Sequence, residues 1–225
     1  NYREDSKSPG VFLASYNNGK LLIFDCTFVK VNGRGVNGNI LTTDEETSME
    51  IVFQKCSFID CSDSSARPLV NFRKSGSGSI QFIQCSFNFN DPTISCKVVD
   101  VKTSNVDFEE CRFENCGTNT ININVPSDTE LTDCPFKFNK NNVRNNNGQL
   151  INAINIKSSI EFTGNTFNDN DLTDLHFIYI SHNQNTLDLI DNTFSNMKSR
   201  GDVTGGGIAS VFPSSSSEFS LTFNN

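Results

Sequence analysis

Residues 80–87 read Ile80-Gln81-Phe82-Ile83-Gln84-Cys85-Ser86-Phe87: apolar residues two apart with a polar one between them, then a cysteine and a phenylalanine also two apart. The pattern recurs along the chain as LLIFDCTF (21–28), IVFQKCSF (51–58), VDFEECRF (106–113), IEFTGNTF (160–167) and LDLIDNTF (187–194). A degenerate TELTDCPF (129–136) and a truncated FSLTFNN (219–225) complete the series. The copies lie about 23 to 32 residues apart, the range of solenoid repeats.

Aligned, the copies form columns. The first holds Leu21, Ile51, Ile80, Val106, Thr129, Ile160, Leu187 and Phe219; the second holds Ile23, Phe53, Phe82, Phe108, Leu131, Phe162, Leu189 and Leu221. Thr129 is the one polar member of either column. A third column changes from Cys (Cys26, Cys56, Cys85, Cys111, Cys134) to Asn (Asn165, Asn192, Asn224), and two residues beyond it each complete copy has Phe. Apolar residues at period two, enriched in β-branched and aromatic types, predict a half-buried strand at the head of each copy. A second alternating segment is expected at Val70/Phe72, Val99/Val101, Ile123/Val125, Ile154/Ile156, Ile178/Ile180 and Ala209/Val211. Small polar corners such as Lys74-Ser75-Gly76 follow it. Each repeat therefore has two strands, two corners and a variable loop.

No stretch shows a 3.6-residue apolar period, so crossover helices are excluded, and the repeats are too short for four-stranded propeller blades. The expected fold is all-β, a parallel β-helix (solenoid) of about seven to eight coils forming one unit over residues 1–225. Stacking coils at ~4.8 Å puts each column residue over its equivalent, so that Phe rings stack and Asn amides hydrogen-bond in rows. Pro9-Gly10-Val11-Phe12-Leu13 aligns with Pro68-Leu69-Val70-Asn71-Phe72, so the chain opens in the second half of a coil, and the last copy is cut short. Uncapped solenoid ends predict either a piece of a longer chain or end-to-end stacking of copies.

Composition restricts function. Among 225 residues, 20 are Phe, 3 Tyr and none Trp, so the aromatics are packing groups without polar tips. A net charge of -8 with only 18 basic residues excludes an electrostatic nucleic-acid or anionic-lipid surface. No apolar run reaches the ~18 residues of a membrane span. No Asn-x-Ser/Thr acceptor occurs.

The motifs carry a resemblance. Phe87 to Asn90, Phe136 to Asn139 and Phe167 to Asn170 match FxxN, Phe58 to Cys61 and Phe113 to Cys116 carry Cys in the Asn place, and Gly205-Gly206-Gly207-Ile208 approaches GGA followed by an aliphatic residue. In these motifs the chain resembles the polymorphic outer-membrane proteins of chlamydiae and similar surface repeat proteins of some protists. That resemblance implies a right-handed β-helix displayed at a cell surface and used for adhesion.

Candidate chemistry is sparse. Asp188 with Asp191, and Asp107 with Glu109 and Glu110, are acidic groups of the kind a polysaccharide lyase or hydrolase needs, yet no acidic positions are expected to align on neighbouring coils. His176 and His182 flank a strand without a Cys at ligand spacing. Asn168 to Asp174 alternates oxygen ligands but lacks the Gly and closing Glu of a calcium loop. Eight Cys leave three options: C-x4-C rings at Cys56/Cys61 and Cys111/Cys116, coil-to-coil bridges, or free thiols. No catalytic, cofactor or metal residue is assigned, and no cofactor is expected. The expected function is a non-enzymatic adhesin-like protein, extracellular or at the cell surface. It binds a protein or cell partner through loops Gly33–Asn39, Ser62–Arg67, Asn139–Asn147 and Ser199–Gly207. The alternatives are a structural part of a filament or large assembly, and a polysaccharide lyase or hydrolase.

Overall fold

The computed structural model describes residues 12–14, 19–31, 40–43, 48–61, 68–72, 78–90, 97–102, 105–125, 135–156, 158–172, 176–183, 186–198, 209–213 and 220–224. They form a parallel β-solenoid of three sheets. One middle turn shows the plan: Val99–Val101 lies in the first sheet, Val106–Glu109 in the second and Arg112–Glu114 in the third. The first sheet has eight strands, from Phe12–Ala14 to Ala209–Pro213. The second has eight, from Lys20–Phe24 to Ser220–Asn224, and the third has seven, from Thr27–Val29 to Thr193–Ser195. Every strand pairs in parallel with its equivalent one coil away, as Val106 does with Ile80 and Phe136. Among the described residues no helix is long and apolar enough to cross a membrane.

The repeat has three strands where the sequence predicts two. The extra strand, such as Ser57–Ile59, is three residues long and turns one side chain, the Phe, into the core. A two-residue corner joins the second sheet to the third in all seven coils that have it. Its first residue is left-handed, with φ from 53° to 66° at Asp25, Lys55, Gln84, Glu110, Lys140, Gly164 and Asp191. This conformation costs a non-glycine residue about 1 kcal/mol, so the surrounding coils must hold it. They do so through backbone bonds that run on across the turn. The Lys55 N–H donates to the Ile83 carbonyl at 2.9 Å, and the Ser86 N–H to the Cys56 carbonyl at 2.9 Å. At Gly164 an added Cβ meets only Lys140 Cγ at 3.6 Å, an ordinary contact. Gly164→Ala should therefore lower stability in urea unfolding by about 1 kcal/mol, the conformational term alone.

Two aromatic columns fill the core. Phe53, Phe82 and Phe108 stack at 5.1 and 4.8 Å; Phe28, Phe58, Phe87 and Phe113 stack at 5.2, 4.9 and 4.8 Å. The columns meet edge to face, as between Phe82 and Phe87 at 5.5 Å. The fifth coil departs from the aligned pattern. Its second-sheet strand is Phe136–Asn139, with Phe136 over Val106 and Phe138 over Phe108, so TELTDCPF is not the repeat head; FKFNKNNV (136–143) is. Val143 stands in the Phe column, and Phe138 tilts across the space it leaves, 5.5 Å from Phe113 and 6.2 Å from Phe167.

Smaller shifts occur elsewhere. The final strand pairs Leu187 with Leu221 and Leu189 with Phe223, two residues on from the expected alignment. In the first sheet the pairs in register with Val99/Val101 are Ile121/Ile123 and Ile151/Ala153, ahead of the expected Ile123/Val125 and Ile154/Ile156. Val125 and Ile156 are buried just past their strands, and Ile154 is half-buried. Phe12 pairs with Leu41, and Leu41 with Val70, so the opening strand is displaced by one residue.

Candidate functional site

The Cys/Asn column lies at the second-to-third sheet corner, and its backbone explains its composition. The neighbours of the column residue bond to the coils on either side, which leaves the column residue's own N–H and one carbonyl of the preceding coil to be satisfied by side chains. Asn satisfies both. Asn165 Nδ2 donates to the Phe138 carbonyl at 2.6 Å, and its Oδ1 accepts the Asn141 N–H at 2.8 Å. Asn141 bonds likewise to the Phe108 carbonyl at 2.9 Å and to the Cys111 N–H at 2.8 Å. In the earlier coils a thiol takes the same seat. The Sγ atoms of Cys56, Cys85 and Cys111 lie 3.4, 3.3 and 3.2 Å from the carbonyls of Ile23, Phe53 and Phe82.

A second column at the third-to-first sheet corner holds Cys61, Cys116, Asn146 and Asn170. Asn146 Oδ1 accepts the Cys116 N–H, and Asn170 Oδ1 accepts the Asn146 N–H at 3.0 Å. Of the three FxxN matches, only Phe167–Asn170 belongs to it. Asn90 is exposed and bonded to Asp60 while Phe89 fills the core, and Asn139 ends a strand.

These columns decide the cysteine question for the described thiols. Cys56 and Cys61, like Cys111 and Cys116, sit at opposite ends of a strand in different columns, so the C-x4-C rings do not form. Cys26, Cys56, Cys61, Cys85, Cys111 and Cys116 are free, and Cys96 and Cys134 lie outside the described residues. Burial pushes the Cys56 thiol up to about 11 and raises Cys61 and Cys116. The neighbouring Cys111 thiol lowers Cys85; Cys111 itself is raised well above the usual range, first by burial.

The outer face of the second sheet carries the acidic groups. Asp107, Lys137, Glu161 and Asp188 occupy successive places in one row. This corrects the expectation that neighbouring coils lack aligned acids: Glu161 and Asp188, each the second residue of its copy, pair on adjacent strands, and the true register of the fifth coil puts Lys137 between Asp107 and Glu161. In that place Lys137 offsets part of the row's negative charge, and Asn139 Nδ2 donates to Glu161 at 3.0 Å. Asp107 is raised to about 6, first by burial and then by Glu109. Its protonated form therefore favours the folded state, and the penalty appears as pH rises through ~4 to ~6. A shift of that size corresponds to about 3 kcal/mol without solvent, reduced to about 1 kcal/mol at this partly open site. Asp107→Asn should raise thermal stability at pH 8 and leave it little changed at pH 4.

Other candidates separate. Asp191 is the left-handed corner residue of its coil, and Glu110 that of an earlier one, away from the Asp107 row. Asn170 lies in the core with its Oδ1 bonded to Asn146, so the Asn168–Asp174 segment has lost a central ligand; 173 and 174 lie outside the described residues. His176 is half-buried, and the His182 side chain is outside the description. Among the described residues no three His, Cys, Asp or Glu groups converge as a metal site. Asn139–Asn147 is not a loop: it contains strand Asn142–Arg144 and both amide columns. Loops 33–39, 62–67 and 199–207 lie outside the described residues.

Comparison with family models, with curated proteins and with solved structures finds no match.

Proposed function

We propose that the chain is a non-enzymatic, adhesin-type solenoid that acts outside the cell or at its surface and binds a protein or cell partner along one edge. The supporting observation is where the chain is longest between strands. The corner from the second sheet to the third is two residues in every coil, and the connection from the first sheet to the second runs from two (184–185) to eleven (125–135). The connection from the third sheet to the first is the longest in most coils, from six residues (115–120) to thirteen (196–208). Segments 33–39, 62–67 and 199–207 fall within that connection in the chain, and the strands that flank it stack in register from coil to coil, a scaffold of the kind recognition uses. The motif resemblance to polymorphic outer-membrane proteins points to the same use.

The test is adhesion of fluorescent beads coated with the chain to cultured epithelial cells. Shortening the 62–67 and 199–207 segments so that their connections match 115–120 should remove adhesion while the β-sheet circular dichroism and melting temperature hold. Equal adhesion of both forms, or none by the parent chain, counts against the reading.

A further inference from the structure

An amide would satisfy the corner better than a thiol, since S–H is a weak donor and sulfur a weak acceptor. Hydrogen bonding therefore does not account for four consecutive cysteines. What distinguishes Cys26, Cys56, Cys85 and Cys111 is their placement. The thiols of the last three hold the same seat against equivalent carbonyls, at 3.4, 3.3 and 3.2 Å, so the sulfurs follow one another at the coil rise of ~4.8 Å. A disulfide needs sulfurs at ~2.05 Å, far inside that spacing. Two metal–thiolate bonds of ~2.3 Å laid end to end span ~4.6 Å, which matches it.

We propose that this sulfur row is a binding site for a soft monovalent cation such as copper(I), one two-coordinate ion between Cys26 and Cys56 and one between Cys85 and Cys111, so that each sulfur binds a single ion. Thiolate is the ligand such ions select. Each ion forms one bond to a sulfur that gives up its proton and a second to the neighbouring sulfur, M⁺ + R–SH → R–S–M + H⁺. The row's charge stays constant as it fills, so no net charge is buried. Four thiols take about two ions and release about two protons, and one thiol of each pair keeps its proton. Cys26, half-exposed, is the point of entry. Cys61 and Cys116 supply the contrast: Phe89 stands between their coils, so no thiol lies one rise from either.

The experiment uses the full chain, fully reduced under nitrogen, titrated against copper(I) held by a colorimetric chelator, with proton release followed in parallel. Because Asn fills this seat in later coils, the variant C56N/C85N/C111N keeps the fold, checked by circular dichroism. It should bind about two ions fewer than the parent chain. The single variant C85N leaves Cys111 without a partner thiol and should lose about one ion, which decides the matter if the triple variant fails to fold. C61N/C116N should lose none. Equal binding by C85N and the parent chain, or an equal loss in C61N/C116N, overturns the proposal.

Discussion

Truncation of Phe87 to alanine should destabilise the chain by about 3–5 kcal/mol, the range for removing a fully enclosed aromatic ring. Phe87 has no exposed surface and touches four rings: Phe58 at 4.9 Å and Phe113 at 4.8 Å within its column, Phe82 at 5.5 Å and Phe108 at 6.3 Å across it. The stacked coils cannot close on the vacancy, because their spacing is set by backbone bonds on both sides of the lost ring. Transfer and cavity terms therefore both apply in full. Phe24→Ala is the matched control. That ring is 51% exposed under Lys55, whose Nζ lies 5.7 Å from its centroid, and its loss should cost under about 1 kcal/mol. Urea unfolding of both variants measures the difference. A Phe87→Ala cost no larger than that of Phe24→Ala would show that the aromatic column does not carry the core.

The same contrast shows which parts of the fold the sequence makes legible. The second-sheet strand is readable because it places two core residues at period two, as in Ile80 and Phe82, with polar neighbours between. The third-sheet strand is hidden because three residues with one inward side chain cannot display a period. The fifth coil is misread for a compound reason. It substitutes Asn141 for Cys and Val143 for Phe at once, while Cys134-Pro135-Phe136 seven residues earlier imitates the Cys-x-Phe signature. The spacing from Val106 to Phe136, equal to that from Leu21 to Ile51, is the signal that would have corrected it.

The outer row is legible in part. Asp107, Glu161 and Asp188 share the second place of aligned copies, and only Lys137 is hidden, because the misaligned fifth copy offers Glu130 in its stead. The sulfur row, by contrast, is plain in the sequence as a column. What the sequence lacks is the separate seating of Cys56 and Cys61, which follows from the unseen third strand between them.

Asn165 should give the second large effect, and its replacements separate hydrogen bonding from volume. Leucine fills a similar space but leaves the Phe138 carbonyl without its 2.6 Å donor and the Asn141 N–H without its 2.8 Å acceptor, both inside the core. It also deprives Asn141 Nδ2 of a partner at 3.2 Å. Each unsatisfied buried group costs about 1–3 kcal/mol, and the apolar gain of leucine offsets part of it, so Asn165→Leu should cost about 3–5 kcal/mol. Cysteine restores a weak donor and acceptor in the geometry Cys111 already has against Phe82, and Asn165→Cys should cost about 1–2 kcal/mol. The stability order Asn, Cys, Leu in urea unfolding is the expected result. Leucine equal to asparagine would mean that the corner is held by packing alone. The order matters beyond this position: if thiol is the poorer partner here, the run of thiols from Cys26 to Cys111 trades hydrogen-bond strength at four consecutive corners, and some property of sulfur that an amide lacks must account for it.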